Sequence, residues 1–406
     1  MTPTKPRLRS QESKPSLAVW RVLMDTRSPW LVEFARALDA TVAAQVYSPE
    51  IGVLGRVQRG GCRETAWDGL RVRRFPLQRG YFSPYVAPLL LEDGRILRWL
   101  GEREASKDDP LICCLPHYAR VAERWPGPVV YYATDLLRAY EGWDPAHIAK
   151  LERRMCRAAT LVCPNSTRIA DVLATDAGGA REKIVVVPNA VRAENLLPAP
   201  ALEPAALPGD LAGLKRPVAG VIGNLGENTD WVLLERVVQG APWLSWVFVG
   251  PYTAAIGDAE QAGARQRLLQ AGGRIRFTGM QDSGELKQYA RAVDVGILPY
   301  RKREPTYSGS STRFYEHLAA CRPMIATRGF EELLHKESLL RLADTPQEFV
   351  AALEALRAVG FQDGLEETRW RVSLENTWQA RARQMCAALE ERTRLCEPAG
   401  VTQAHG

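Results

Sequence analysis

Short apolar runs alternate with amphipathic segments twice over along this chain, and a Pro- and Ala-rich break separates the two series. Parallel sheets covered by helices impose that alternation, because each strand is buried on both faces and returns through a helix. In the first series the spacing predicts strands over 17–24, 41–47, 70–75, 111–115, 129–133, 161–164 and 184–187. Helical periodicity is clearest over 145–157, where Ile148, Leu151, Met155 and Ala158 fall near one face. The second series predicts strands over 218–222, 246–249, 275–278, 293–298 and 324–326. Helices are expected over 231–239, 261–271, 283–292, 312–320 and 347–358, with a last one over 377–392.

Between the series, 196–217 reads LLPAPALEPAALPGDLAGLKRP, which is short of β-branched residues and has the composition of a linker. The expected organisation is a polar tail over 1–16, a first domain over 17–195, the linker, and a second domain over 218–375. A chain of 406 residues exceeds one ordinary domain, so two α/β domains facing across a cleft are the natural prior. Hydrophobic content of 46% with 25% charged residues excludes a disordered chain. No run of eighteen apolar residues occurs, so no bilayer span is expected. Met1 to Ser16 reads as a disordered tail, not a signal peptide.

The cysteines (Cys62, Cys113, Cys114, Cys156, Cys163, Cys321, Cys386 and Cys396) form no C-x-x-C pair, and only five histidines are present. Buried thiols in a reducing cytosol are expected, with no metal site. The net charge of +6 is too small and scattered for a nucleic-acid partner. Arg71, Arg73, Arg74 and Arg79 precede Tyr81, Phe82 and Tyr85. Such a patch can hold anionic lipid headgroups, and hence a peripheral membrane contact, or a phosphorylated acceptor. The plainer alternative is a solvated arginine face beside a half-buried loop.

The most informative segment, 295–326, reads VGILPYRKREPTYSGSSTRFYEHLAACRPMIA. A strand ends at Leu298, Tyr300 sits in the turn, and a polar Ser/Gly loop ending in Ser311 and Thr312 leads into a helix. Backbone N–H groups at such a helix start favour an anion, and Arg313 in the first turn can grip a phosphoryl oxygen. Glu316 lies one turn deeper, where a carboxylate can accept both hydroxyls of a ribose. On spacing alone, however, Arg313 and Glu316 make an i,i+3 surface ion pair worth a few tenths of a kcal/mol, and a Ser-rich helix start is an ordinary N-cap.

The segment resembles the donor-binding helix of GT-B glycosyltransferases, where a basic residue precedes a glutamate by three and a small-x-Pro turn follows. Here those positions are Arg313, Glu316 and Ala320-Cys321-Arg322-Pro323. Many retaining members carry a second glutamate eight positions earlier, where this chain has Ser308. The resemblance extends over the second half. The run VAGVIGNLG at 218–226 corresponds to the first strand and loop of the donor domain, which implies that Gly223, Asn224 and Leu225 approach the diphosphate. Its glycines lack the G-x-G-x-x-G spacing of a dinucleotide fingerprint. FVGPY at 248–252 and FTGM at 277–280 match strand ends that line the base pocket, which adds Gly250, Gly279 and Met280.

In the first half, VVYYATD at 129–135 and LVCPNS at 161–166 resemble bacterial exopolysaccharide glycosyltransferases, the xanthan-type glucuronosyltransferase among them. The resemblance implies that Asp135, at the carboxyl end of a buried strand, is the catalytic base that deprotonates an acceptor hydroxyl. The alternative is that Asp135 caps the following helix. His117, with Arg79 and Tyr81, is an acceptor-side candidate; Pro188-Asn189-Ala190-Val191 resembles the family's closing turn and is read as structural. Asn376-Thr377-Trp378 resembles the start of the helix, about 376–394, that returns to the first domain.

The expectation is therefore an α/β protein of GT-B type, two Rossmann-like domains facing across a cleft. It would move a sugar from a nucleotide-sugar donor, UDP-linked by preference, to a glycan or lipid-linked acceptor. No metal or other cofactor is implied, and the loss of the glutamate at Ser308 leans toward inversion. A nucleotide-sugar epimerase would share the fold but turn over its donor without acceptor. An inactive scaffold of the same fold would bind sugar or a partner protein without turnover.

Overall fold

The computed structural model describes residues 18–51, 62–86, 90, 92–101, 103–176 and 181–396. The tail expected over 1–16 lies outside them, as does the side chain of Cys396.

The first sheet contains β1 (Trp20–Leu23), β2 (Ala44–Ile51), β3 (Arg63–Trp67), β4 (Leu70–Leu77), β5 (Leu111–Cys113), β6 (Val129–Ala133) and β7 (Leu161–Pro164). They lie in the order β3-β4-β2-β1-β5-β6-β7, and only the β3–β4 pair is antiparallel. The second sheet contains β8 (Val218–Ile222), β9 (Ser245–Val249), β10 (Ile275–Gly279), β11 (Val295–Leu298), β12 (Met324–Ala326) and β13 (Arg341–Leu342). Its order is β10-β9-β8-β11-β12-β13, parallel throughout. With β3 set aside, both sheets have the doubly wound order, in which winding reverses beside the first strand and opens a crevice at the carboxyl ends. β6, β8 and β9 are buried along their whole length, as strands covered on both faces must be.

Helices α1 (Pro29–Asp39), α2 (Glu92–Trp99), α3 (Ala119–Ala122), α4 (Pro145–Ala158) and α5 (Thr167–Asp176) accompany the first sheet. Helices α6 (Trp231–Gly240), α7 (Ala259–Ala271), α8 (Leu286–Ala292), α9 (Thr312–Ala319), α10 (Pro346–Ala358) and α11 (Glu366–Glu375) accompany the second. The last helix, α12 (Trp378–Cys396), crosses back and packs on the first sheet. It buries Trp378, Ala382, Met385, Cys386 and Leu389, a helical stripe, in the same core as Phe34, Leu38 and Tyr132.

The differences from the sequence reading have local causes. The segment 184–187 runs beside β7 through Val185 N–H to Val162 O and Val187 N–H to Pro164 O, but only one bridge forms, so no strand results. β3, with the sequence RETAW, is mostly exposed and has no apolar run to reveal it. The stretch 196–217 is stapled down. Leu211 and Leu214 join a core with Val218 and Val247, Tyr289 Oη donates to Asp210 at 2.7 Å, and Arg322 bonds the carbonyls of Ala201 and Leu202.

Helix α9 approaches β11 so closely that a Cβ at Gly296 would stand 2.5 Å from the ring of His317. Both residues are in the packed interior, so Gly296→Ala should lose about 1–3 kcal/mol through forced overpacking. A urea unfolding series measures it; an unchanged midpoint would show that α9 can shift freely.

Candidate active site

The carboxyl ends of β6 and β7 face those of β8 and β11 across a cleft of about 480 Å³, within the range of small-molecule sites. The first domain contributes Trp30, Thr134, Asp135, Tyr140, Asn165 and Asn189; the second contributes Asn224, Tyr300, Glu304, Thr312, Arg313 and Phe330. The structure thus brings together Asp135, Asn224, Tyr300, Thr312 and Arg313 from the residues singled out in the sequence.

Arg313 is 4% exposed and is not paired with Glu316. Its Nη2 donates to the Asn224 carbonyl and, at 3.4 Å, to Thr229 Oγ1, and the guanidinium lies 4.9 Å from the centre of the Tyr300 ring. Its Nη1 is buried without a hydrogen-bond partner, and among the described residues Arg313 forms no ion pair. Burial pulls its pKa below the ordinary arginine value, yet a guanidinium remains charged at neutral pH. An unpartnered buried charge beside a cleft is the arrangement an anionic ligand completes. The other cleft arginine, Arg303, is already neutralised by Glu227 at 2.8 Å.

The i,i+3 ion pair that spacing suggests does not form. Glu316 is half-buried, its Oε2 accepts from Asn195 Nδ2 at 2.7 Å, and burial raises its pKa. It lies at the domain seam and is not among the residues lining the cleft.

The helix start is also more occupied than expected. Ser311 caps α9 through Phe314 N–H at 3.3 Å and bonds Tyr300 Oη at 2.9 Å. Glu332 fills the adjoining anion position, accepting from Ser311 N–H at 2.9 Å, Ser310 Oγ at 2.8 Å and Tyr315 Oη at 2.7 Å. Thr312, the next residue, lines the cleft. Ser308 is fully buried where the family's earlier glutamate would stand. Its Oγ donates to Glu304 at 2.8 Å and accepts from Arg168 Nε at 2.9 Å, and its carbonyl accepts from Ser166 Oγ. The position has become part of the domain seam, and Glu304 is the carboxylate presented to the cleft beside it.

The glycine loops serve packing. Gly223, at φ +120°, leaves room for Arg313: a Cβ there would lie 3.0 Å from Nε. Gly250, at φ +133°, abuts the Gly223 carbonyl, where a Cβ would meet oxygen at 1.9 Å. Gly250 therefore shapes the loop, and it is not among the residues lining the cleft. Leu225 is a correction as well: its side chain is core and its N–H bonds the Pro251 carbonyl at 3.0 Å, so neither is open to a diphosphate. Gly279 forms a turn at φ +74°, and Met280 is 76% exposed; neither is among the residues lining the cleft.

On the opposite wall, Asp135 follows β6, with the Tyr140 hydroxyl beside it. Burial raises its carboxyl to about 7, with the Tyr140 hydroxyl pulling the other way. It caps nothing: the short turn Leu137–Ala139 has Leu136 at its N-cap and no side-chain cap bond. Glu152 in α4 is buried and paired with Arg138. Asn165 and Asn189 were not marked as site residues in the sequence. Each lines the cleft and leaves its Oδ1 buried without a partner, while Asn189 also ties Ser310 through both its backbone and its side chain. His117 and Tyr81 line a separate pocket, and Arg79 is exposed and away from the cleft lining.

Two parallel doubly wound domains facing across such a cleft define the GT-B fold, and solved structures agree. Over 92% of this chain and 99% of the other, the fold matches an Escherichia coli protein bound with UDP-2-fluoro glucose, at TM-score 0.65 and 12% identity. HepE of Anabaena, in complex with UDP and glucose, matches over 92% of this chain and its whole length, at TM-score 0.64 and 16% identity. A glycosyltransferase of Rickettsia africae matches over 94% of this chain and its whole length, at TM-score 0.66 and 11% identity. More particularly, residues 216–358 match the family described as Glycosyl transferases group 1. TuaH of Bacillus subtilis, described as a candidate teichuronic acid biosynthesis glycosyltransferase, is 26% identical over 178 residues, a match that spans 43% of each chain. Among the described residues no helix is long and apolar enough to cross a membrane.

Proposed function

We propose that the protein is a glycosyltransferase that moves a sugar from a nucleoside diphosphate, UDP by preference, to the hydroxyl of a glycan or lipid-linked acceptor. The observation that carries this reading is the partnerless buried Nη1 of Arg313 beside an interdomain cleft, in a region that matches Glycosyl transferases group 1. In this reading the domain at 218–375 holds the donor and the one at 17–195, closed by α12, holds the acceptor.

Arg313 and Thr312 grip the diphosphate and stabilise its developing charge without calling on a metal. Glu316, at the seam beside the cleft, accepts from the ribose hydroxyls, and Asn165 and Asn189 orient sugar hydroxyls. Asp135 takes the proton of the acceptor hydroxyl as that oxygen attacks the anomeric carbon and the nucleoside diphosphate departs, a single displacement that inverts the centre. Binding and turnover of a panel of nucleotide sugars test the reading. Failure to bind any of them would sink it, and isomerisation of the donor with no acceptor present would replace it with an epimerase.

The acidity of Asp135 gives the reading a pH signature. Only the carboxylate can act as base, so with a carboxyl titrating near 7 the kcat/KM should climb about tenfold per unit below that pH and level off above it. A flat profile between pH 5 and 8 would remove Asp135 from the rate-limiting proton transfer.

A further inference from the structure

A second cavity, of about 160 Å³, opens on the first domain, walled chiefly by Tyr81, His117, Arg120, His147, Lys150 and Arg154. Its floor is His117, which is 8% exposed and has no hydrogen-bond partner on either ring nitrogen. The ring is held edge-on to Phe82, with centroids 5.0 Å apart, and to Trp143 at 4.6 Å. Neither aromatic partner satisfies an imidazole nitrogen, so the ring bears an unmet hydrogen-bonding demand. Burial, with His147 nearby, lowers its pKa to about 3, so without a ligand it is neutral.

The charges around it are mostly donors. Lys150 is exposed and forms no ion pair among the described residues, and Arg120 is only 3.8 Å from Asp93. Arg154 is held by Glu123. The lining carboxylate, Asp93, is already engaged by the Tyr81 hydroxyl at 2.9 Å. Beyond one imidazole nitrogen the wall offers few free acceptors, and its charge disfavours a cation. N–H donors on a histidine, a lysine and an arginine that line one cavity suit the oxygens of a phosphoryl group.

His117 follows the carboxyl end of β5, and Trp143 lies three residues beyond Tyr140, which lines the cleft with Asp135. One short loop therefore joins this pocket to the acceptor wall of the cleft. We infer that the pocket binds a phosphoryl group, a phosphomonoester or diphosphate, carried by the acceptor. The word acceptor rests on the transferase reading above; the binding of a phosphoryl group does not.

Inorganic pyrophosphate, titrated calorimetrically into protein saturated with UDP so that the cleft is filled, tests the site. His117→Ala and Lys150→Glu should each weaken pyrophosphate binding by about tenfold or more, as loss of a charge-assisted bond does, with UDP affinity unchanged. Lys150 is exposed, so its variant tests the pocket even if the buried His117 variant folds poorly. Absence of pyrophosphate binding, or equal affinity in wild type and Lys150→Glu, overturns the proposal. Should UDP itself fail to bind, the transferase reading falls, and pyrophosphate titrated into Arg313→Ala judges the pocket alone.

The rim carries Tyr85, 83% exposed, and Val86, 38% exposed, next to Pro84, which lines the pocket. Vesicles of phosphatidylcholine with and without phosphatidic acid separate the sources. Retention only with phosphatidic acid, competed by pyrophosphate, supports a lipid-borne phosphate. Pyrophosphate binding without vesicle retention supports a water-soluble phosphorylated acceptor.

Discussion

Arg313→Ala should lower the affinity for UDP about 100-fold, because it removes a desolvated cation whose free N–H has no other partner. Arg313→Lys should recover only part of that loss, since a lysine supplies the charge but not the planar fork. Isothermal titration with UDP reads both variants, and a thermal melt separates binding from folding. The melt matters because the same guanidinium bonds the Asn224 carbonyl and Thr229, tying the β8 loop to α9. An unchanged UDP affinity would leave Arg313 as a loop anchor and nothing more.

Asp135→Asn is expected to lower kcat by about a thousandfold while UDP affinity moves less than twofold, the pattern for loss of a general base on the wall opposite the donor. Steady-state kinetics with a saturating donor, beside UDP titration, gives both numbers. Full activity would sink the assigned role. The same substitution should also stabilise the protein at alkaline pH. The folded carboxyl titrates near 7 and the unfolded one near 3.8, so the folded state holds the proton more tightly. The penalty for ionising Asp135 in the fold is absent below about pH 4, grows toward pH 7 and is complete above it. Asparagine avoids it, so the variant should gain roughly 1–3 kcal/mol over wild type at pH 8 and nothing at pH 4. A gain at pH 8 with lost turnover would show that Asp135 is kept against the interest of stability.

The architecture was largely visible in the sequence because it rests on local signals. β6, β7, β8 and β12 appear with the bounds their apolar runs predict, since a strand buried on both faces must be a continuous hydrophobic stretch. α4 and α9 begin where Asp144 and Ser311 cap them. The elements missed had no such signal. β3 is solvent-facing, β13 is two residues long, and α11 has the sequence EETRWRVSLE, whose weak amphipathicity is offset by Arg369 bonding Asp363 and the Leu339 carbonyl.

The pair Arg313 and Glu316 shows where the sequence ran out. Three-residue spacing on a helix puts both on neighbouring rows, which sequence logic reads as an ion pair or as two contacts to one ligand. The fold sends them apart. Gly223, distant along the chain but lacking a Cβ, lets the β8 loop close over Arg313, while Asn195 draws Glu316 to the domain seam. Glu332 at the start of α9 and Asn189 against Ser310 are likewise placed by tertiary packing that no local pattern reveals. Periodicity, which acts over a few residues, by itself determined two successive βα arrays, whereas Arg313 stood out only through the resemblance of its helix to a donor-binding helix. Which polar atoms remain unpartnered at the cleft, and so available to a ligand, was decided only in the tertiary structure, where segments as far apart as Asn189 and Ser310, or Asn224 and Arg313, satisfy one another.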